Sequence, residues 1–342
     1  MPTPRNQQVS LLDTPYYHCI SRCVRRSFLC GTDRITNKNY NHRKEWIVER
    51  LALLSKNFAI EVCAYSAMSN HLHLVIKINA PLAQNWSEET VIQHWQQLFL
   101  IPVLVERYQN GECHSQAEQK KAQETIQLFR ERLMDISWFM RCLNEHIARK
   151  ANAEDKCTGH FWEGRFKSQA LLNEQAILAC MVYVDLNPIR ADISRTLEDS
   201  EHTAIKQRIE QMAITKNTET TKHFSHPASV KLSAFIGSSL KENGIAFDLK
   251  DYLELADWTG RIVRKDKRGL IDVSTPGILQ KLQLDNNTWM ETVQGYSKGF
   301  HSFVGTEEQL QSLSQKQNKR WIRGISICRK LFKSKHPIPI TT

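Results

Sequence analysis

Apolar positions along the chain switch between a period near two and a period near 3.6, and the switches mark out its elements. Tyr16-Tyr17-His18-Cys19-Ile20-Ser21-Arg22 is rich in strand formers behind Pro15 and predicts a first strand. From Arg43 to Lys56 the residues Trp46, Ile47, Leu51 and Leu54 recur at helical spacing and predict an amphipathic helix. Ile60 to Ala67 predicts a second strand, Ser69-Asn70 a turn, and His71 to Ile78 a third strand. A helix followed by a strand hairpin points to an α+β layer in which a helix covers one face of a sheet.

A polar, Gln- and Glu-rich stretch of about 79–135 interrupts this pattern. It has helical patches at Glu88 to Leu98 and Gln116 to Glu131, and reads as an insertion that adds no strand. Ser137 is placed to cap a helix carrying Trp138, Phe139, Cys142, Leu143 and Ile147. GHFWEGRFKSQALL then alternates, which predicts one continuous strand with Phe161, Glu163, Arg165 and Lys167 on one side. Asn173 is a good N-cap for the helix NEQAILACMVYVDLNP, which Pro188 should end near Asn187. A short helix over Ser200 to Met212 and a linker-like TKNTETTKHFSHP follow, and the remainder is mainly helical, with Asp248 to Arg264 the clearest element. The expected organisation is therefore a unit over 1–195 containing the insertion, a helix and linker over 196–227, and a basic, mainly helical region over 228–342.

Composition narrows the class. A hydrophobic fraction of 41% with 24% charged residues is that of a soluble globular chain, and no apolar run is long enough to span a bilayer, so no membrane partner is expected. MPTPRNQQVS has no apolar secretory core, and nine scattered cysteines do not resemble a disulfide framework, so a cytoplasmic protein with reduced thiols is expected. The formal charge of +10 suits a polyanionic partner, because neutralising phosphates releases counterions. It is equally the charge of an ordinary basic protein. Its distribution says more: no acidic residue follows Glu308, while Lys316, Lys319, Arg320, Arg323, Arg329, Lys330, Lys333 and Lys335 do, with Trp321 and Phe332 among them.

Two places could carry chemistry. Strand alternation sends His71 and His73 to one face and Leu72 and Leu74 to the other, so two imidazoles lie close enough to share a transition ion. Taken alone, such a pair is more often two ordinary hydrogen-bonded histidines. Tyr183 and Asn187 stand four apart on a helix, one turn from each other on the same face. Asn offers a neutral oxygen ligand and Tyr a hydroxyl able to attack phosphorus, although a core tyrosine with one hydrogen-bond partner would also fit.

Together these segments resemble a known family. His71-Leu72-His73 is similar to the HUH motif (His, hydrophobic, His) of single-tyrosine HUH nucleases. Tyr183-Val184-Asp185-Leu186-Asn187-Pro188, preceded by Phe161-Trp162-Glu163-Gly164-Arg165-Phe166, resembles the corresponding segments of REP-associated tyrosine transposases. Relatives usually carry Pro where Ser69 stands, and neither the insertion nor the C-terminal region belongs to the family core. The resemblance implies a ferredoxin-like antiparallel sheet with the histidines central and the tyrosine helix beside it. It further implies a divalent ion (Mg or Mn) held by His71, His73 and Asn187, and Tyr183 as nucleophile. The implied activity is metal-dependent cleavage and strand transfer on single-stranded or hairpin repeat DNA through a covalent 5′-phosphotyrosine. A non-catalytic DNA-binding regulator that keeps the fold, and an HUH replication-initiation nuclease, remain open beside it, as do monomer and homodimer. Arg22, Arg25, Arg26, Arg165 and Lys167 are candidates to track the DNA backbone, with Lys319, Arg320 and Arg323 as a C-terminal grip, and Tyr16, Tyr17 and Trp162 as base-stacking candidates.

Overall fold

The computed structural model describes residues 8–24, 29–32, 37–216, 229–237, 243–264, 276–282, 284–320 and 322–332. Five strands form one sheet: β1 Tyr16–Arg22, β2 Ile60–Ala67, β3 His71–Ile78, β4 Lys167–Leu171 and β5 Phe303–Val304, in the order β2-β3-β1-β4-β5. β1 pairs antiparallel with β3 and with β4, and β5 joins β4 in parallel. The fold is α+β, as the alternating and helical periods predict.

Two helices cover one face. α1 (His42–Asn57) buries Ile47, Leu51 and Leu54 of the expected apolar stripe and Val48 beside them, while Trp46 is half-buried. α6 (Ile136–Glu154) is capped by Asp135, whose side chain accepts from the Trp138 N–H at 2.8 Å, so the helix starts one residue before the expected cap, Ser137. Ile136 is buried in the core, and that burial draws Ser137 inside the helix. The fully buried Arg43 ties the two helices, its guanidinium donating to Glu154 at 2.6 Å and Asp155 at 2.5 Å beneath the ring of Tyr40. On this face Asn144 of α6 donates to Ser21 of β1 at 2.8 Å.

The insertion is folded and supplies no strand among the described residues. It comprises α2 Ala80–Asn85, α3 Glu88–Gln96, α4 Val103–Gln109 and α5 Gln116–Leu133. Trp95 and Phe129 stack with centroids 4.1 Å apart and belong to a core continuous with that of the sheet.

One expected strand is mostly absent. Only Lys167–Leu171 of GHFWEGRFKSQALL is extended and laddered. The left-handed Lys156 (φ 49°) and Gly159 (φ 108°) turn the chain, and the next residues cross the end of β1. There Val24 N–H donates to Phe161 and Glu163 N–H to Arg22. These two bonds form an isolated antiparallel bridge between Cys23 and Trp162, with Phe161 buried and Glu163 exposed, and the ladder lapses before Lys167.

α7 (Glu174–Asp185) lies across the other sheet face. Asn173 caps it by accepting from Ala176 N–H at 2.8 Å. α7 ends at Asp185, two residues before Asn187, and a new turn, α8 (Asn187–Arg190), places Pro188 where its missing N–H costs nothing. From Ala176 to Asp185 every residue of α7 is buried, because helices cover it as well. α9 is Ala204–Lys216, a few residues later than the Ser200 to Met212 expected, and α10 is Leu249–Val263. α11 (Gly277–Lys281), α12 (Asn286–Gly299), α13 (Glu307–Lys316) and α14 (Ile325–Leu331) follow among the described residues. The described residues of 229–332 are mainly helical, and they also extend the sheet with β5 and pack α12 on α7. Most of the linker-like segment, 217–228, lies outside the described residues.

Candidate active site

Strand register assembles the site. Residues directly opposed in antiparallel strands point the same way. Arg22 opposes His71, Ile20 opposes His73, Gln169 opposes His18, and Lys167 opposes Ile20. One face therefore carries His71, His73, His18, Gln169, Arg22 and Lys167, while Leu72 and Leu74 are buried on the other. The rings of His71 and His73 lie 4.7 Å apart and nearly perpendicular. His71 is half-buried, with Nδ1 at 2.5 Å from Asn70 Oδ1, whereas His73 is buried, with Nδ1 at 2.8 Å from His18 Nε2. His18 Nδ1 in turn meets Gln169 Oε1 at 2.6 Å.

α7 brings Tyr183 onto this cluster. Its ring stands edge-on to His73 at 5.6 Å and to His18 at 6.1 Å between centroids. Its opposite neighbour is Tyr296 of α12, nearly parallel at 4.7 Å, and the Arg190 guanidinium sits 4.6 Å from the Tyr183 ring centroid. Tyr183 is only 5% exposed.

Burial dominates the electrostatics. It pushes His18 and His71 down to about 4, and holds His73 well below the usual imidazole range, with the nearby charges of His18, His71, Arg22 and Arg190 adding to the effect. All three rings are therefore neutral near pH 7. Burial raises the Tyr183 hydroxyl, and the charge of Arg190 is the largest influence opposing it. His73 Nε2 is buried without a hydrogen-bond partner, and so is the side-chain nitrogen of the buried Asn187. Orphaned buried polar atoms are costly unless something binds them. Neutral imidazole nitrogens suit a divalent cation, whereas the orphaned Asn187 atom is an N–H2 donor, so only the amide oxygen of that residue could serve as a ligand. Among the described residues no three His, Cys, Asp or Glu side chains form a ready-made metal cluster, so the amide or a substrate oxygen would have to complete such a site.

The other expected residues distribute unevenly. Arg22 and Lys167 are exposed at the rim of the histidine face, and Arg165 is exposed in the crossing segment before β4. Arg25 and Arg26 lie outside the described residues. Lys319, Arg320 and Arg323 are exposed between α13 and α14, and no contact among the described residues ties them to the histidine and tyrosine cluster. Much of the basic tail is neutralised within the fold: Lys316 pairs with Asp13, Arg329 with Glu307 and Lys330 with Glu291. Lys333 and Lys335 lie outside the described residues. The aromatic candidates for base stacking are used internally. Tyr17 is fully buried, with its hydroxyl bonded to the Ser10 main chain, Tyr16 donates to the Gly244 carbonyl, and Trp162 donates to the Asn144 carbonyl.

Four site residues escape a reading of the sequence. Arg190 follows Tyr183 by seven and Asn187 by three, so helical spacing does signal it. His18 and Gln169 depend on a register that no local pattern encodes, and Tyr296 arrives from 113 positions away in sequence.

No protein-family model matches the chain, and no curated protein matches it. A solved structure of the REP-associated tyrosine transposase bound to a REP hairpin is similar over 58% of this chain and 81% of its own, at 11% identity and a TM-score of 0.33. A likeness that distant assigns no role to any residue. No helix among the described residues is long and apolar enough to cross a membrane.

Proposed function

We propose that this chain is a metal-dependent, single-tyrosine DNA endonuclease and strand transferase acting on single-stranded or hairpin repeat DNA. The observation that carries the reading is the approach of Tyr183 to His73, edge-on at 5.6 Å, where a buried imidazole nitrogen lacks any partner. A tyrosine ring packed edge-on against a buried imidazole with an uncommitted nitrogen supports a nucleophile set beside a cation site.

In this reading His71, His73 and Asn187 hold the divalent ion. When bound, the ion neutralises charge developing on the scissile phosphate. Tyr183 Oη attacks phosphorus as its proton is lost, the bond to the 3′ oxygen breaks, and that oxygen leaves as a 3′-hydroxyl. The 5′ phosphate stays on the tyrosine, and a later 3′-hydroxyl reverses the exchange without nucleotide hydrolysis. Arg190 stabilises the phenolate, and exposed Arg22, Arg165 and Lys167 flank the path of the backbone. Because Tyr183 is 5% exposed beneath Tyr296, DNA engagement requires α12 to shift.

The test is incubation of the full chain with an end-labelled hairpin oligonucleotide and Mn²⁺, resolved on a denaturing gel. A protein–DNA adduct that disappears in Tyr183→Phe is the expected result. Retarded native complexes with no adduct in any divalent ion would refute catalysis and leave the DNA-binding regulator.

A further inference from the structure

The hydrogen bonds behind His73 run in one direction, and that direction decides which of its nitrogens carries the proton. Gln169 Nε2 donates to the Phe300 main-chain carbonyl at 3.1 Å, so its Oε1 is the atom turned to His18. A flipped amide would set two oxygens against each other at Phe300. Oε1 only accepts, so His18 Nδ1 carries a proton. His18 is 1% exposed and packs against Gln169, His73, Tyr183 and Tyr296, none of them a carboxylate that would hold a second proton on it, which leaves a lone pair on Nε2. His73 Nδ1 lies 2.8 Å from that lone pair and must donate to it. The ring planes are within 17° and the centroids 5.1 Å apart, the geometry of an edge-to-edge hydrogen bond and not of face stacking. The proton on His73 therefore resides on Nδ1, and its lone pair points from Nε2, the orphaned buried atom.

We propose that Gln169 and His18 are positioning residues: anchored on the Phe300 carbonyl, they lock His73 into the Nδ1-protonated tautomer and so keep Nε2 open to a divalent ion. The relay rests on the functional reading above only in its last link, the ion. Its anchor comes from the segment entering β5, next to which Ser302 accepts from the Ala170 N–H at 2.8 Å. The C-terminal region thus sets the protonation geometry of a ring on β3 through two intervening side chains. Metal-binding histidines characteristically donate their second N–H to an oxygen or nitrogen partner that fixes the ring in this way. Asn70 stands in the same relation to His71, accepting from its Nδ1 at 2.5 Å.

The experiment uses the full chain, labelled with ¹⁵N-histidine and freed of metal, and reads imidazole tautomers from long-range ¹H–¹⁵N correlations. His73 is expected as the Nδ1–H tautomer, and an Nε2–H tautomer in the wild type overturns the proposal with no variant needed. Gln169→Leu, which cannot accept from His18, should let His73 populate both tautomers. It should weaken Mn²⁺ binding, followed by electron paramagnetic resonance, by about 10- to 100-fold. Gln169→Glu, nearly isosteric, sets a carboxylate oxygen against the Phe300 carbonyl and favours a proton on both His18 nitrogens, so it should shift His73 to the Nε2–H tautomer and weaken Mn²⁺ binding, an effect that a merely space-filling role of Gln169 does not produce. An unchanged tautomer and affinity in Gln169→Leu would overturn the relay. Loss of any Mn²⁺ binding in a wild type that shows the Nδ1–H tautomer would support the relay while refuting the cation reading.

Discussion

Three neutral imidazoles packed on one sheet face make acid the natural way to unfold this protein. In the unfolded chain His18, His71 and His73 protonate near pH 6.5, whereas in the fold burial keeps them neutral down to about 4 for His18 and His71 and holds His73 well below its usual range. Below pH 6.5 the unfolded state binds protons that the native state refuses, so stability falls with acidification. One group works the other way. Burial raises Asp185 to about 7, so between roughly pH 4 and 7 the native state holds a proton that the unfolded state releases. Three protons gained against one retained leave a net uptake of about two on unfolding. Each proton is worth about 1.4 kcal/mol per pH unit, which gives a slope near 2–3 kcal/mol per unit around pH 5.5. The lower figure allows for His71 being only half-buried. Smaller downward shifts at His94, His146 and His301 act in the same direction. For a domain stable by about 5–15 kcal/mol, losing about 3 kcal/mol between pH 6.5 and 5 is readily measured. Urea unfolding of the metal-free protein at half-unit steps from pH 7.5 to 4.5 yields the slope directly. His73→Asn should reduce it by about 1.4 kcal/mol per unit. A flat profile between pH 7 and 5, or an unaltered slope in that variant, would mean the rings are not held neutral by burial.

Other outcomes follow from the same contacts. Asp185 is fully buried and accepts from Tyr252 at 2.5 Å, so its ionisation penalty grows from pH 4 and is complete above 7; Asp185→Asn should therefore gain about 2–4 kcal/mol over the wild type at pH 8 and little at pH 4.5 in urea titrations. Arg190→Gln removes the cation beside the Tyr183 ring, so the rising limb of adduct formation should move to higher pH and the rate at pH 7.5 should fall about 5- to 30-fold in quenched-gel assays. Tyr296→Ala opens the cover over Tyr183: thermal denaturation should show a loss of about 2–4 kcal/mol, while adduct formation on the same hairpin accelerates, and a slower rate would mean Tyr296 positions the nucleophile instead of shielding it. Arg22→Ala and Lys167→Ala should each lower hairpin affinity and flatten its salt dependence by about one counterion, and Lys167→Ala should leave Mn²⁺ binding unchanged in titration.

What could be read from the sequence and what could not divide along contact range. The strands at Tyr16, Ile60 and His71, α1, the Asn173 cap and the shared face of His71 and His73 all follow from periods and caps set within a few residues. Where two local signals competed, packing chose between them. Asp135 and Ser137 are both capable caps, and the burial of Ile136 selected the first. Alternation through GHFWEGRF has the pattern of a strand, yet after the turn at Lys156 and Gly159 its pairing among the described residues is the single Cys23–Trp162 bridge, and a ladder forms from Lys167 onward. The chemistry of the site depends on longer contacts still. A histidine pair was legible, but its protonation state and tautomer belong to β1, β4 and the chain entering β5, and the environment of Tyr183 belongs to α8 and α12. A second unit appended for DNA binding should be separable from such a site. Here the Phe300 carbonyl and the Tyr296 ring are parts of it, so the C-terminal region bears on the reactivity of the early histidines as well as on any grip on nucleic acid.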